Sequence, residues 1–331
     1  MVTRWEEIAG HGDNIAMLKN MLAQGRVPHA LLFAGPAGVG KMLTARVLAA
    51  GLLCATAADR PCGQCPSCRQ AAQGRHPDLV TVAADGASLK IDQIRALQQE
   101  AALAPYYGGA RVFLIEEAER LTAEAANSLL KILEEPPAGT VFVLTAASPH
   151  ALLPTIVSRC RLLNFAPLAT DTLSRLLVAR GAAEGPARVA ARLSGGRVGE
   201  ALTLLEPDGL ALRDKAVAAV AALAGGDAVF AAGEAAALDK LPPAELTAFL
   251  RHLAQVLRDL LVIKSGQPSL VFNQDITDNL QALAAGWREA GLDRALTAVK
   301  EAGRAMEGNA NSRLTSEAML IQLMDAAKEG I

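Results

Sequence analysis

The chain has 331 residues, 51% apolar and 20% charged, with a formal net charge of −2 from 32 basic and 34 acidic side chains. That length accommodates two or three domains, and the composition excludes a disordered or low-complexity protein. The near-neutral balance excludes a generally polybasic nucleic-acid binder, so any contact with DNA is expected to be local or shared with partners. The first residues lack the basic start and apolar core of a secretory signal, and no run of about 18 uninterrupted apolar residues occurs, so a cytoplasmic protein with no membrane partner is expected.

Apolar residues at Ile15, Met17, Leu18, Met21 and Leu22 predict an amphipathic helix over residues 14–22. The run Ala30-Leu31-Leu32-Phe33-Ala34 stops at Gly35 and Pro36, as a strand buried on both faces of a parallel sheet does, and a helix follows over residues 41–53. Residues 111–115 and 140–145 read as further strands, with a helical pattern over 123–133 between them. This β-α-β alternation predicts an α/β first half, a parallel sheet with flanking helices. Beyond about Pro167 the strand signals fade and an all-α remainder is predicted. Residues 168–182 and 187–205 suit a small helical subdomain broken at Ser194-Gly195-Gly196. Breaks at Pro207-Asp208-Gly209, Leu241-Pro242-Pro243 and 265–268 separate the longer helices that follow, and the alanine-rich stretch 216–237 reads as closely packed helices.

Between the first strand and its helix lies Gly35-Pro36-Ala37-Gly38-Val39-Gly40-Lys41, a G-x-x-x-x-G-K phosphate loop in the strand–loop–helix setting that gives the match meaning. Glycines let backbone N–H groups turn onto phosphates, the helix start adds its positive end, and Lys41 supplies a point charge. The next residue is normally a Ser or Thr that ligates Mg²⁺, whereas Met42 offers a thioether, a poor ligand for a hard cation. The second strand signal, 111–115, runs into Glu116-Glu117, which resembles a Walker B segment with Glu116 in the metal-holding place and Glu117 in the water-positioning one. Glu116 is one methylene longer than the usual Asp; two solvated glutamates at a strand end are the alternative.

Cys54, Cys62, Cys65 and Cys68 have the spacing C-x7-C-x2-C-x2-C, expected to close a tetrahedral structural Zn²⁺ site on an insertion at about residues 54–68. Four protein ligands leave no open catalytic position. Iron–sulfur ligation shares such spacings, and a zinc knuckle touching nucleic acid, with Arg60, Arg69 and Arg75 nearby, is the rival functional reading. The fifth cysteine follows Arg159 in Ser158-Arg159-Cys160; taken alone, this reads as a small buried thiol beside a salt-bridged arginine.

The phosphate loop, the four-cysteine insertion, Gly74-Arg-His-Pro-Asp78, Asn127-Ser-Leu-Leu-Lys-Ile-Leu-Glu-Glu-Pro-Pro137 and Ser158-Arg-Cys160, in this order, together resemble the bacterial sliding-clamp loader ATPases of DNA polymerase III. Leu257-Arg-Asp-Leu-Leu-Val-Ile-Lys-Ser-Gly266 and Asn309-Ala-Asn-Ser-Arg-Leu-Thr-Ser-Glu317 look like that family's collar helices, so the resemblance spans essentially the whole chain. It implies an α/β P-loop AAA+ domain (1–167), a small helical lid (168–207) and an all-α C-terminal collar (208–331). Two branches share this layout, the tau/gamma motor and delta prime. Lys90-Ile-Asp-Gln-Ile-Arg95, Pro105-Tyr-Tyr-Gly-Gly109 and Glu117-Ala-Glu-Arg-Leu-Thr122 look like delta prime.

The departures from the motor's residues agree: Met42, Glu116, Ala146-Ala147 in place of polar threonines, and Gly199 at the lid's sensor arginine, with Arg197 two residues out of register and turned away if helical. A motor subunit carrying the tau extension is expected to continue well past the collar, whereas this sequence stops at Ile331; a short gamma form would also stop near there. By this resemblance Arg159 reaches a neighbouring subunit's ATP site. Tau/gamma and delta subunits in a hetero-pentamer, the sliding clamp and primed DNA are the implied partners. ATP or ADP with Mg²⁺ is the implied ligand, with hydrolysis by the chain itself expected to be weak or absent. A true ATP-hydrolysing motor and a zinc-dependent nucleic-acid module are the alternatives.

Overall fold

The computed structural model describes residues 4–56, 59–107, 109–224, 233–234, 236–307 and 310–328. Positions 225–232 and 235 of the alanine-rich stretch, Gly108 of the Pro105–Gly109 turn and Asn309 of the last motif lie outside the described residues. The chain divides into two compact units, Met1–Leu176 with Gly196–Gly199, and Leu177–Gly195 with Glu200–Ile331.

The first unit is built on five parallel strands, β1 (Ala30–Ala34), β2 (Leu79–Val82), β3 (Arg111–Ile115), β4 (Thr140–Ala146) and β5 (Arg161–Asn164), in the order β2-β3-β4-β1-β5. Every residue of β1, β3 and β4 is buried. The two-residue period of a strand divides them between two apolar layers. Leu31, Phe33, Val112, Leu114, Val141 and Val143 pack with Leu18 and Leu22 of α1 (Gly12–Ala23) and Val47 and Leu48 of α2 (Lys41–Leu53). Leu32, Phe113, Ile115, Phe142 and Leu144 pack on the other face with Ile94 and Leu97 of α4 (Ile91–Ala101) and Leu129 and Leu133 of α5 (Ala123–Glu134). The short helix α3 (Pro66–Ala72) packs on α2. The three central strands and the helices α1, α2 and α5 occur where the periodicity predicts them. The edge strands β2 and β5 are additional: each has four residues with a mixed burial pattern, so neither forms a continuous apolar run.

Beyond β5 the described residues are helical, with no further strand. The predicted helix over 168–182 is α7 (Thr170–Ala179), and 187–205 is two helices, α8 (Glu184–Leu193) and α9 (Val198–Leu204), parted at Gly195 and Gly196, both with positive φ. A Cβ on Gly196 would lie 2.2 Å from the Leu168 carbonyl oxygen, so only glycine suits that break. The second unit continues through α10 (Ala211–Ala224), α11 (Pro243–Lys264), α12 (Thr277–Ala285), α13 (Glu289–Glu307) and α14 (Ser312–Lys328). Phe249, Leu253, Leu257, Trp287, Leu292 and Leu323 centre its core.

One buried carboxylate organises that unit. Asp259, with no exposed surface, accepts backbone N–H groups of Phe272 and Asn273, both at 2.9 Å, and the Asn273 side-chain amide at 2.8 Å. Its neighbour Arg258 pairs with it at 3.0 Å and lies 3.9 Å from the Phe272 ring centroid. Asp259→Ala strands three N–H donors, and we expect it to lower unfolding free energy by about 3 kcal/mol, read as a lower urea midpoint at unchanged slope.

Candidate functional site

The phosphate loop leaves β1 and enters α2 through three glycines with positive φ: Gly35 (156°), Gly38 (78°) and Gly40 (104°). A Cβ at Gly35 would meet the Phe165 carbonyl oxygen at 2.0 Å, a backbone-to-backbone clash that no side-chain rotation relieves. Buried Val39 anchors the loop from within, while Pro36, Ala37 and Gly38 are exposed. Gly40 caps α2, and its carbonyl accepts both the N–H (2.9 Å) and the hydroxyl (3.0 Å) of Thr44. His11 donates from Nε2 to the Val39 carbonyl at 2.8 Å, its ring 4.7 Å from that of Phe165. Gly199 donates its N–H to the Gly38 carbonyl at 3.0 Å.

Lys41 Nζ donates to the loop's own carbonyls, Gly35 at 2.5 Å and Pro36 at 2.7 Å. Burial lowers its pKa, opposed by the carboxylates of Glu119 and Glu117. Met42 is half-buried and packs on the apolar layer beneath α2, so the second residue of the helix joins the core. Arg197 precedes the first residue of α9. The expected helical offset therefore does not describe its direction, because the helix has not yet begun there.

At the end of β3, Glu116 is half-buried and its N–H donates to the Val82 carbonyl at 2.9 Å. Glu117 is exposed and left-handed (φ 48°), with its N–H on the buried Thr145 hydroxyl at 3.1 Å and its carboxylate paired to Arg120 at 3.1 Å. Glu119 accepts the Ala147 N–H at 3.0 Å, while its second oxygen is buried without a hydrogen-bond donor among the described residues. The sequence singled out Glu116 and Glu117; Glu119 and Thr145 are added by the fold.

The four cysteines come together, every Sγ within 4.8 Å of the others. Cys54 to Cys65 is 4.0 Å and Cys62 to Cys68 is 3.9 Å, against about 3.8 Å between sulfurs on a tetrahedral zinc with 2.3 Å bonds. Local structure aims them: Cys54 caps the end of α2, Cys65 caps the start of α3 and accepts the Cys68 N–H at 3.4 Å, and Pro66 opens the helix. Backbone N–H groups of Gln64 and Cys65 pull the Cys62 thiol down to about 6, whereas burial pushes Cys68 up. This donor set is able to hold a metal ion. Trp5 Nε1 donates to the Arg60 carbonyl at 2.8 Å and Arg4 to that of Cys62 at 3.2 Å, tying the insertion to the chain's start.

Arg159 lies just past α6 (Pro154–Val157). Its Nη2 is 2.5 Å from Glu134 Oε1, and Nη1 donates to the Thr155 carbonyl at 2.8 Å and the Ser158 hydroxyl at 3.4 Å. Cys160 packs against the sheet, and burial pushes its thiol up to about 12. Within this chain the segment is therefore a half-buried thiol, its pKa raised by burial, beside a paired arginine.

A family model described as "DNA polymerase III, delta subunit" matches residues 10–169. The DNA polymerase III subunit delta' of Bacillus subtilis is 31% identical over 329 residues, covering 98% of this chain and 100% of that protein. Subunit delta' of Pseudomonas aeruginosa is 38% identical over 190 residues, 56% of this chain and 58% of that one. Subunit tau of Escherichia coli is 42% identical over 156 residues, 46% of this chain and 24% of its own length. The fold and loop define a P-loop α/β protein with an all-α C-terminal part. The chain belongs to the delta' family of DNA polymerase III subunits. Among the described residues no helix is long and apolar enough to cross a membrane.

Proposed function

We propose that the chain is a stator of the DNA polymerase III clamp loader. It assembles with tau/gamma and delta subunits in a hetero-pentamer, helps open the sliding clamp, and serves ATP hydrolysis at a neighbour's site through Arg159. Likeness to a delta' subunit along its full length carries this reading. Residues 1–167 form the AAA+ nucleotide-binding domain, 168–207 the lid and 208–331 the collar.

Its own loop, Gly35 to Lys41, has the glycine conformations of a phosphate cradle, and Lys41 must leave the Gly35 and Pro36 carbonyls to reach a nucleotide. The chemistry for turnover is poorly supplied: Met42 is half-buried and packs against the apolar layer, and Arg120 engages the carboxylate that would orient water. Bound ATP or ADP then acts as a structural ligand, favouring the conformation that holds it. Zn²⁺ on Cys54, Cys62, Cys65 and Cys68 supplies a fixed tetrahedral tie between the end of α2 and α3.

Reconstitution tests the role. Clamp loading onto primed DNA by tau/gamma and delta should require this chain, and the chain should co-elute with them in one complex. Loading at full rate without it would contradict the assignment.

A further inference from the structure

Glu134 is the last residue of α5. A carboxylate in a final helical turn faces the negative end of the macrodipole, an unfavourable place unless a cation offsets it. The cation here is Arg159, 25 residues further on, at 2.5 Å. Two elements thus meet on one guanidinium: α5 holds Nη2 through Glu134, and α6 holds Nη1 through the Thr155 carbonyl. Ser158 reinforces the second hold, its hydroxyl donating to that same carbonyl at 3.1 Å. Among the described residues Nε has no partner, and Arg159 keeps 33% of its side chain exposed. The group is gripped on two nitrogens while a third of the side chain stays exposed.

We infer that Glu134 is a positioning residue for Arg159, pre-aligning the guanidinium for a phosphoryl group on the neighbouring subunit; this rests on the stator reading above. A free arginine samples many rotamers and loses them on meeting its ligand, whereas this one is ordered beforehand. The grip does not trap it. Glu134 is 49% exposed, and an ion pair that open to water is weak, so a multiply charged phosphoryl group can share the guanidinium through Nε.

The test uses the reconstituted complex with clamp and primed DNA, following ATP hydrolysis by rapid quench. Arg159→Ala first identifies the phase that depends on this arginine. Glu134→Ala should slow that phase about tenfold, short of the 10²-fold that a 1 Å misplacement can cost, with the half-saturating ATP concentration unchanged. Glu134→Gln keeps an acceptor oxygen and should recover the rate to within about threefold, as preserved geometry requires. Added to Arg159→Ala, Glu134→Ala should change nothing further. Unaltered melting and co-elution with tau/gamma and delta exclude a folding or assembly defect. The inference is overturned if Arg159→Ala slows a phase that Glu134→Ala leaves unchanged or accelerates, or if Glu134→Ala still slows hydrolysis without Arg159. If no phase responds to Arg159→Ala, the stator reading itself fails.

Discussion

Replacing Arg159 with alanine should move one ATP per assembled complex from the fast phase of hydrolysis to one slower by about 10³-fold or more. A guanidinium beside a transferring phosphoryl group offsets charge that develops in the transition state, in a site from which water is largely excluded, so its loss falls on the chemical step. The chain itself should be unharmed: Arg159 is partly exposed, and its pair with Glu134 is partly solvated and contributes little to stability. Nucleotide binding and co-elution with the partner subunits should therefore persist. Arg159→Lys restores charge without the planar fork and should recover only a small part of the rate. Equal burst amplitudes and rates for wild type and Arg159→Ala would show that the arginine is only the paired surface residue seen within this chain.

Removing metal from the four cysteines should have the largest effect on structure. A closed four-thiolate zinc site contributes on the order of 10 kcal/mol of binding free energy, comparable to the stability of a whole domain. Among the described residues the insertion is otherwise held by a seven-residue helix, hydrogen bonds from Arg4 and Trp5, and contacts with α2. Dialysis against a strong chelator should release one zinc per chain, and amide exchange over residues 59–73 should rise to nearly unprotected rates. The β1, β3 and β4 amides, buried between two apolar layers, should stay protected. Cys68→Ser should act alike. Loss of DNA affinity with this protection intact would instead favour a zinc-dependent nucleic-acid module.

What the sequence made legible follows from where the signal lies. β1, β3 and β4 are buried on both faces, so each carries an unbroken apolar run of at least four residues (30–34, 112–115 and 141–144), whereas β2 and β5 close the edges with mixed patterns that resemble loop. The cysteine site was readable because three ligands sit within seven residues and local turns aim them. Contacts made by the fold were not. The carboxylate of Glu119 meets Ala147 and the N–H of Glu117 meets Thr145, both 28 residues away, and His11 reaches Val39 across the same separation. Glu134 was visible as part of Asn127–Pro137, but its partner appears only when α5 and α6 converge. Arg197 shows the reverse case: a rotation argument needs the helix to have started, and α9 starts one residue later.

In the proposed role this chain serves a neighbour's catalysis instead of its own. ATP turnover by the purified chain alone, beside Lys41→Ala, tests it most directly. No turnover above the Lys41→Ala background is expected. Turnover that Lys41→Ala abolishes would contradict it, showing that Met42 and Glu116 are tolerated in a working motor.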